Sequence, residues 1–322
     1  MDVQEYLTGL KRVTETSYQV FEPYYRERAK HYVYPVFYQS VTQMIMSGGF
    51  FYKIFGSGTH RTLAVFKRAN IMGNYSCILH IAPISLSGDK ADEIAVIKEA
   101  RKQGFSVKLC PEDLRRYGIP MNLCEPIAGN LEYVYNVNEC YAMEGGKFHG
   151  FRKQVRKVTR QEGYRHVFGA NDDIDGILRV WDEHNHNTRE KSQQGTQTLH
   201  WKRIKGVKDS RMIVHSVYID DIIEGFSVIE KLSDKNWALV MGTRNYDSKL
   251  NDINRCMHYL DCEIAHVSDS VTVYANIGAA IGIEGLDFEK EKLHPCAHLQ
   301  IYRFKPTGKS NKETLKKIFQ NL

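Results

Sequence analysis

The stretch VTVYANIGAAIGIEGLDFEKEKLHPCAHLQIYRFK, Val271 to Lys305, constrains the fold more than any other part of the chain. It opens with a β-branched and aromatic run, Val271 to Tyr274, that reads as a strand. Asn276 to Gly282 is a loop of small residues, where the backbone can approach another group closely. Glu284 to Lys292 has the pattern of a short amphipathic helix, stopped by His294-Pro295. Leu299 to Phe304 is a second strand. Strand, glycine-bearing loop, helix, proline and strand together make a unit suited to presenting backbone amides to a bound group. A plain βαβ packing unit whose glycines only turn the chain satisfies the same pattern.

A chain of 322 residues has room for one large or two medium domains. Hydrophobic residues at 42% and charged residues at 25% describe an ordinary globular protein. A net charge of +6 permits an anionic partner without requiring nucleic acid. No apolar run is long enough for a transmembrane segment, although the charge leaves room for peripheral membrane contact. The opening residues MDVQEYLTGLKR lack the apolar core of a signal peptide. The seven cysteines are odd in number and scattered, with no Cys-x-x-Cys, which argues for reduced thiols and a cytoplasmic location.

The N-terminal 32 residues read as helical, with the aromatic cluster Tyr24-Tyr25 and Tyr32 to Tyr38 as packing rather than chemistry. Val41 to Met46, Phe50 to Phe55, Arg61 to Arg68 and Tyr75 to Ile81 then read as four strands of a meander, separated by glycine turns. A helix from Lys90 to Gln103 buries Ile94, Ile97 and Ala100 and stops at Gly104. A strand at Phe105 to Leu109 and a helical turn at Pro111 to Tyr117 follow. Leu131 to Tyr135 is a strand leading into a helix around Val137 to Met143.

The next segment is basic. Lys147, Arg152, Lys153, Arg156, Lys157 and Arg160 precede the first acidic residue, Glu162. On a helix, positions 152, 156 and 160 stack on one face with 153 and 157 beside them. Like charges four apart cost a helix roughly 0.2–0.5 kcal/mol per pair, so a chain that keeps several has a use for them, such as holding an anion. A solvated helix face is the other reading.

From Tyr164 the elements run β-α-α-β-β-β-α-β-α-β. The strands are Tyr164 to Phe168, Met212 to Tyr218, Glu224 to Lys231 and Trp237 to Met241, followed by Val271 to Tyr274 and Leu299 to Phe304. Helices run from Asp172 to His186, capped by Asn171 or Asp172, and from Ser248 to His266. A polar stretch from Asn187 to Thr198 and a short helix near Leu199 to Ile204 lie between the first helix and the second strand. His184-Asn185-His186 does not make a metal site, because residues two apart on a helix do not share a face, and no metal is expected.

NIGAAIGIEGLDFEKEKLHP resembles the closing signature of the double-GNAT acyltransferases. These include the C-terminal domain of phosphatidylglycerol lysyltransferase and, more distantly, the Fem-type aminoacyltransferases. The residues that carry the resemblance are Asn276, Gly278, Gly282, Ile283-Glu284-Gly285-Leu286, Lys290, Lys292, Pro295 and the Tyr302 strand. The passage from Tyr133 to Arg160 is similar to the segment that joins the two halves in that family. The resemblance implies an α/β (α+β) chain with tandem GNAT-like folds, mixed sheets flanked by helices. The divisions are 1–145 for an N-terminal degenerate GNAT-like domain, 146–163 for the basic linking helix and 164–322 for the C-terminal GNAT-like domain.

In that fold the donor sits where the fourth and fifth strands splay apart, here Trp237–Met241 and Val271–Tyr274. The loop Gly242 to Ser248 occupies the phosphate-facing position, close to a helix N-terminus that attracts anions. It lacks the glycine-rich pyrophosphate signature of acetyl-CoA-dependent members. Val240-Met241 also replaces an acidic and basic pair common in the lysyltransferase-like relatives.

The implied activity is acyl or aminoacyl transfer from acyl-CoA or aminoacyl-tRNA to an amine or hydroxyl, with no tightly bound cofactor. A catalytically inactive module that binds nucleic acid or a protein partner is the alternative. Proton acceptance from the attacking group and oxyanion stabilisation are the chemistry required. The catalytic candidates are Glu230, Glu284, Tyr246 and His294. The candidates for binding the donor or its phosphates are Lys147, Arg152, Lys153, Arg156, Lys157, Arg244, Asn276, Gly278, Lys290 and Lys292.

Overall fold

Two strand sets, each an antiparallel meander closed by a parallel pair across a helix, organise the chain. The computed structural model describes residues 2–71, 74–169, 174–187, 203–204, 206–266, 272–279, 284–309 and 311–320. By contacts the chain forms two units: Met1–Glu132 with His298–Leu322, and Tyr133–Gly278 with Ile283–Ala297. The basic segment therefore belongs to the second unit and the C-terminus to the first.

The first unit contains α1 (Val3–Leu7), β1 (Lys11–Arg12), α2 (Ser17–His31), α3 (Val41–Ser47), β2 (Phe50–Phe55), β3 (Thr62–Ile71) and β4 (Asn74–Leu79). It continues through β5 (Ile84–Ser85), α4 (Lys90–Lys102), β6 (Ser106–Leu109) and α5 (Pro111–Tyr117). Strand β7 (Cys124–Asn136) carries the chain into the second unit. There follow α6 (Val137–Ala142), α7 (His149–Thr159), β8 (Tyr164–Phe168), α8 (Ile174–Asn187), β9 (Met212–Ile219), β10 (Ile222–Lys231) and β11 (Asn236–Arg244). Next come α9 (Ile253–Ala265), β12 (Tyr274–Ala279) and α10 (Glu284–Glu291). Strand β13 (Ala297–Phe304) and α11 (Lys312–Gln320) return the chain to the first unit.

In the first unit the strand order is β1-β2-β3-β4-β6-β13, with β4 and β6 parallel and the other neighbours antiparallel. Its core gathers Phe51, Phe66, Leu79, Ile97, Phe105 and Val107, and draws in Phe304, Leu315 and Phe319 from the C-terminal elements. Burial of such side chains contributes about 1.5–3 kcal/mol each. In the second unit the order is β12-β11-β10-β9-β8, with β11 and β12 parallel. Helix α9 lays Ile253, Cys256, Met257 and Leu260 against Val158 of α7 and Val217 of β9.

Three expectations are corrected. Val41–Met46 is helix α3, not a strand. Ser40 caps it by accepting from the Gln43 N–H at 2.9 Å, and Gly48 at φ +65° ends it. Val41, Met44 and Ile45 are buried at helical spacing, so core packing overrides the β preference of the sequence. The segment around Asn276 is strand rather than loop, because β12 begins at Tyr274 and runs through Ala279. Helix α9 starts at Ile253, after turns at residues 245 to 252, and not at Ser248. The expected cap at Asn171 or Asp172, the polar stretch from Thr188 to Thr198, Val271 and the Gly282-Ile283 pair lie outside the described residues.

Candidate active site

Asn236, Trp237 and Ala238 of β11 pair in parallel with Tyr274, Ala275 and Asn276 of β12, and there the pairing stops. Beyond it β11 stays on β10, where Met241 faces Val228 and Leu239 faces Ile229. Val240 is the extra residue, a β-bulge that takes its backbone out of the ladder. Gly278, at φ +68°, bends the end of β12. The two strands thus separate, and a cavity of about 450 Å³ opens between them within the second unit.

Strand β11 supplies one wall from Leu239 to Thr243, β12 supplies Ile277, and α10 supplies Leu286, Glu289 and Lys290. The floor is α9, which presents Asn254, His258 and Asp261, spaced four and three apart and so on one helix face. Helix α9 can lie this close because Gly225 has no side chain: a Cβ there would stand 2.6 Å from Cγ2 of Ile253. Ser227 of β10 reaches the cavity beneath Gly242 and donates to the Met241 carbonyl at 3.2 Å.

Asp261 is 5% exposed, and its carboxylate lies 2.7 Å from Nε2 of His215, which is fully buried on β9. Nδ1 of His215 is 3.1 Å from Nε2 of His166 on β8. A neutral His215 that donates from Nε2 to the carboxylate accepts at Nδ1 from His166, so one proton arrangement satisfies both contacts. Burial, reinforced by the neighbouring His215, brings the His166 pKa down to about 4. The chain Asp261–His215–His166 therefore runs from the cavity to the sheet's outer strand. A carboxylate so placed can accept a proton from a group in the cavity.

Among the expected site residues, Lys290 lines this cavity, and Asn276 and Gly278 flank Ile277, which lines it. Lys290 is 7% exposed and donates to the carbonyls of Ile277 and Gly278 at 3.0 and 2.9 Å, tying α10 to the end of β12. The Asn276 side chain accepts from the Gly278 N–H at 2.8 Å. Glu230 is buried on β10 opposite Ala238 and does not line the cavity. Tyr246 is 47% exposed beyond the end of β11. His294, at φ +58°, holds the Lys147 carbonyl at 2.8 Å. Glu284 opens α10, and its side chain lies outside the described residues. Arg244 reaches Asn251 at 3.3 Å, and Lys292 pairs with Glu289 at 3.0 Å.

Arg152, Lys153, Arg156 and Lys157 lie on α7, whose other face buries Phe151, Val155 and Val158; Lys147 stands just before the helix and Arg160 just after it. Lys147 pairs with Glu139 at 2.6 Å, Arg152 binds the Gly145 carbonyl at 3.0 Å, and Lys157 pairs with Asp252 at 3.1 Å. Lys153, Arg156 and Arg160 are exposed along a shallow groove and have no ion-pair partner among the described residues. The sequence reading missed Asp261, His215 and His258. The available signal was the polar triplet Asn254, His258 and Asp261, at one-face spacing on an amphipathic helix.

The parallel pair of the first unit separates in the same way after Ile78↔Ser106 and Leu79↔Val107. There, however, the segment before α3 fills the gap. Tyr38 lies over Lys108, its ring centroid 4.2 Å from the ammonium, and a space of only about 10 Å³ remains. That is room for about one water. Burial, with Lys67 nearby, lowers the Lys108 pKa to about 8.

No family model and no curated protein matches the sequence. Solved structures do match the fold. L-PGS from Bacillus licheniformis superposes with a TM-score of 0.64 at 13% identity, over 96% of this chain and 97% of its own. FemX gives 0.61 at 9% identity, over 98% and 100%. A tandem GNAT protein from the clavulanic acid biosynthesis pathway gives 0.50 at 8% identity, over 92% and 98%. With two strand sets of the same topology, the chain has a tandem GNAT fold, the fold of those structures.

Proposed function

We propose that the second unit is an acyltransferase centre that moves an aminoacyl group from aminoacyl-tRNA to an amine or hydroxyl acceptor. The observation that carries this reading is the cavity between β11 and β12, with a bulged backbone on one side and a buried carboxylate on its floor. The reactive ester carbonyl fits against the main chain at Val240, where N–H groups outside the ladder stabilise a developing oxyanion. Asp261 accepts the proton of the attacking nucleophile, and its hydrogen bond to His215 fixes its orientation. Lys290 keeps the mouth of the cavity in shape through the β12 carbonyls.

The tRNA donor is favoured over acyl-CoA by Lys153, Arg156 and Arg160, three exposed cations with no ion-pair partner among the described residues, in the same unit as the cavity. The test is equilibrium binding of tRNA and of acetyl-CoA across a salt series. Micromolar tRNA affinity that falls steeply with salt is expected, and a Lys153→Gln/Arg156→Gln/Arg160→Gln variant should lower the salt slope by about two to three. Saturable acetyl-CoA binding without tRNA binding assigns the centre to acyl-CoA instead. Binding of neither ligand removes the transferase reading.

A further inference from the structure

We propose that Cys140, His258 and Cys262 form a buried site for a thiophilic divalent cation of the zinc type. These residues come from α6 and α9 of the second unit, and their ligand atoms all lie within 4.8 Å of one another, a grouping found once among the described residues. His258 and Cys262 are four apart on α9 and so share a face, and α6 packs against α9 to bring Cys140 over them. No Cys-x-x-Cys pattern signals the site, because its third member lies far upstream in the chain.

The surroundings are those of a metal centre rather than a solvated cluster. Cys140 is 2% exposed, His258 5% and Cys262 fully buried. Tyr135 meets the His258 ring edge-on at 5.0 Å, and Phe151 closes a second side at 6.3 Å. The Cys140 thiol faces both the Cys262 thiol and the His258 ring. Nε2 of His258 is enclosed and has no hydrogen-bond partner among the described residues. Two sulfurs and an imidazole suit zinc and exclude magnesium or calcium, which take oxygen ligands.

With bonds of about 2.3 Å to sulfur and about 2.0–2.1 Å to nitrogen, tetrahedral coordination needs donors separated by roughly 3.4–3.8 Å. The trio needs only a small inward adjustment to reach this. Binding releases the two thiol protons, and a dication with two thiolates is neutral overall, the charge state a buried site tolerates. Three protein ligands leave a fourth position for water. Because His258 also lines the cavity floor, the cation sits directly beneath the proposed transfer centre, and its role on this geometry is to fasten α6 to α9 there.

The reduced full-length chain, titrated with cobalt(II) as a spectroscopic stand-in and then with zinc, tests this directly. One cobalt per chain is expected, with a thiolate-to-cobalt charge-transfer band, intense tetrahedral bands in the visible and loss of both when zinc is added. Cys140→Ser and Cys262→Ser should each weaken metal affinity more than 100-fold. Cys256→Ser, buried on the same helix outside the trio, should leave the spectrum unchanged. No charge-transfer band in the wild-type chain overturns the proposal even if the serine variants do not fold. So does a band that survives Cys140→Ser, or one abolished equally by Cys256→Ser.

Discussion

Replacing Gly225 with alanine tests how the candidate site is built. The new methyl would stand 2.6 Å from Cγ2 of Ile253 and 3.3 Å from Cγ of Met257, both on α9. Carbon atoms pack at about 3.5–4.0 Å, so the first contact is short by roughly 1 Å. Cγ2 is fixed by the stiff χ1 of isoleucine, so the helix itself must move. Overpacking of this kind costs about 1–3 kcal/mol, while the lower chain entropy of alanine returns about 0.4–1 kcal/mol. A net loss of about 1–2 kcal/mol is expected.

Ile253→Ala alone should cost about 2–5 kcal/mol, since Ile253 is fully buried. In the double variant the clash disappears, so its loss should fall short of the sum of the two single losses by about 1 kcal/mol or more. Ile253→Val retains Cγ2 and should give no such relief. Equilibrium urea unfolding followed by tryptophan fluorescence measures this unit in particular, because Trp181 and Trp237 both lie in it. A Gly225→Ala change within 0.5 kcal/mol of zero, or equal relief from Ile253→Val, refutes the close approach of α9 to β10.

Asp261→Asn keeps the shape of the side chain but removes the proton acceptor, so single-turnover transfer should fall by about 10²–10⁴ while donor affinity stays within a few-fold. An unchanged rate would exclude Asp261 as the base. The His166 pKa is depressed in the folded state, so the unfolded chain binds the extra proton first as pH falls. Stability contributed by this histidine is present above about pH 6.5 and is lost as pH falls toward about 4. Urea midpoints across that window should decline, and His166→Asn should flatten the decline; an identical pH profile in the variant contradicts the assignment.

The order of strands and helices could be read from the sequence because alternation, glycine turns and helix stops are local signals. The first strand of the expected meander was misread at Val41, where a β-branched residue sits in the first turn of a buried helix. Deciding that case required Ser40 as a cap, which only becomes visible once the backbone has formed. The glycines at 278 and 282 suggested a loop, yet the strand persists through Ala279 because the Lys290 ammonium takes up the carbonyls at its end. The site itself was harder to see. Asp261, His215 and His166 are far apart in the sequence and meet only through the packing of α9 on β9 and the pairing of β8 with β9. Chemistry assembled by tertiary contact leaves only a faint trace in one sequence, here a polar triplet at one-face spacing on a helix. The exposed candidates Tyr246 and His294 drew notice because they are conspicuous in composition, not because the fold converges on them.

The return of β13 and α11 to the first unit sets the order in which the chain can be completed. Tyr302, Arg303 and Phe304 pair with Leu109, Lys108 and Val107 of β6, and Leu315 and Phe319 fill the core around Phe66 and Phe105. As the chain leaves the ribosome, every residue of the second unit has been made before β13 covers that edge. The half synthesised first must wait with an unpaired strand and an open apolar core, both prone to wrong pairing. Synthesis runs from first unit to second, but completion runs the other way. Loss of the last 25 residues, His298–Leu322, would thus be felt in the part of the protein made earliest.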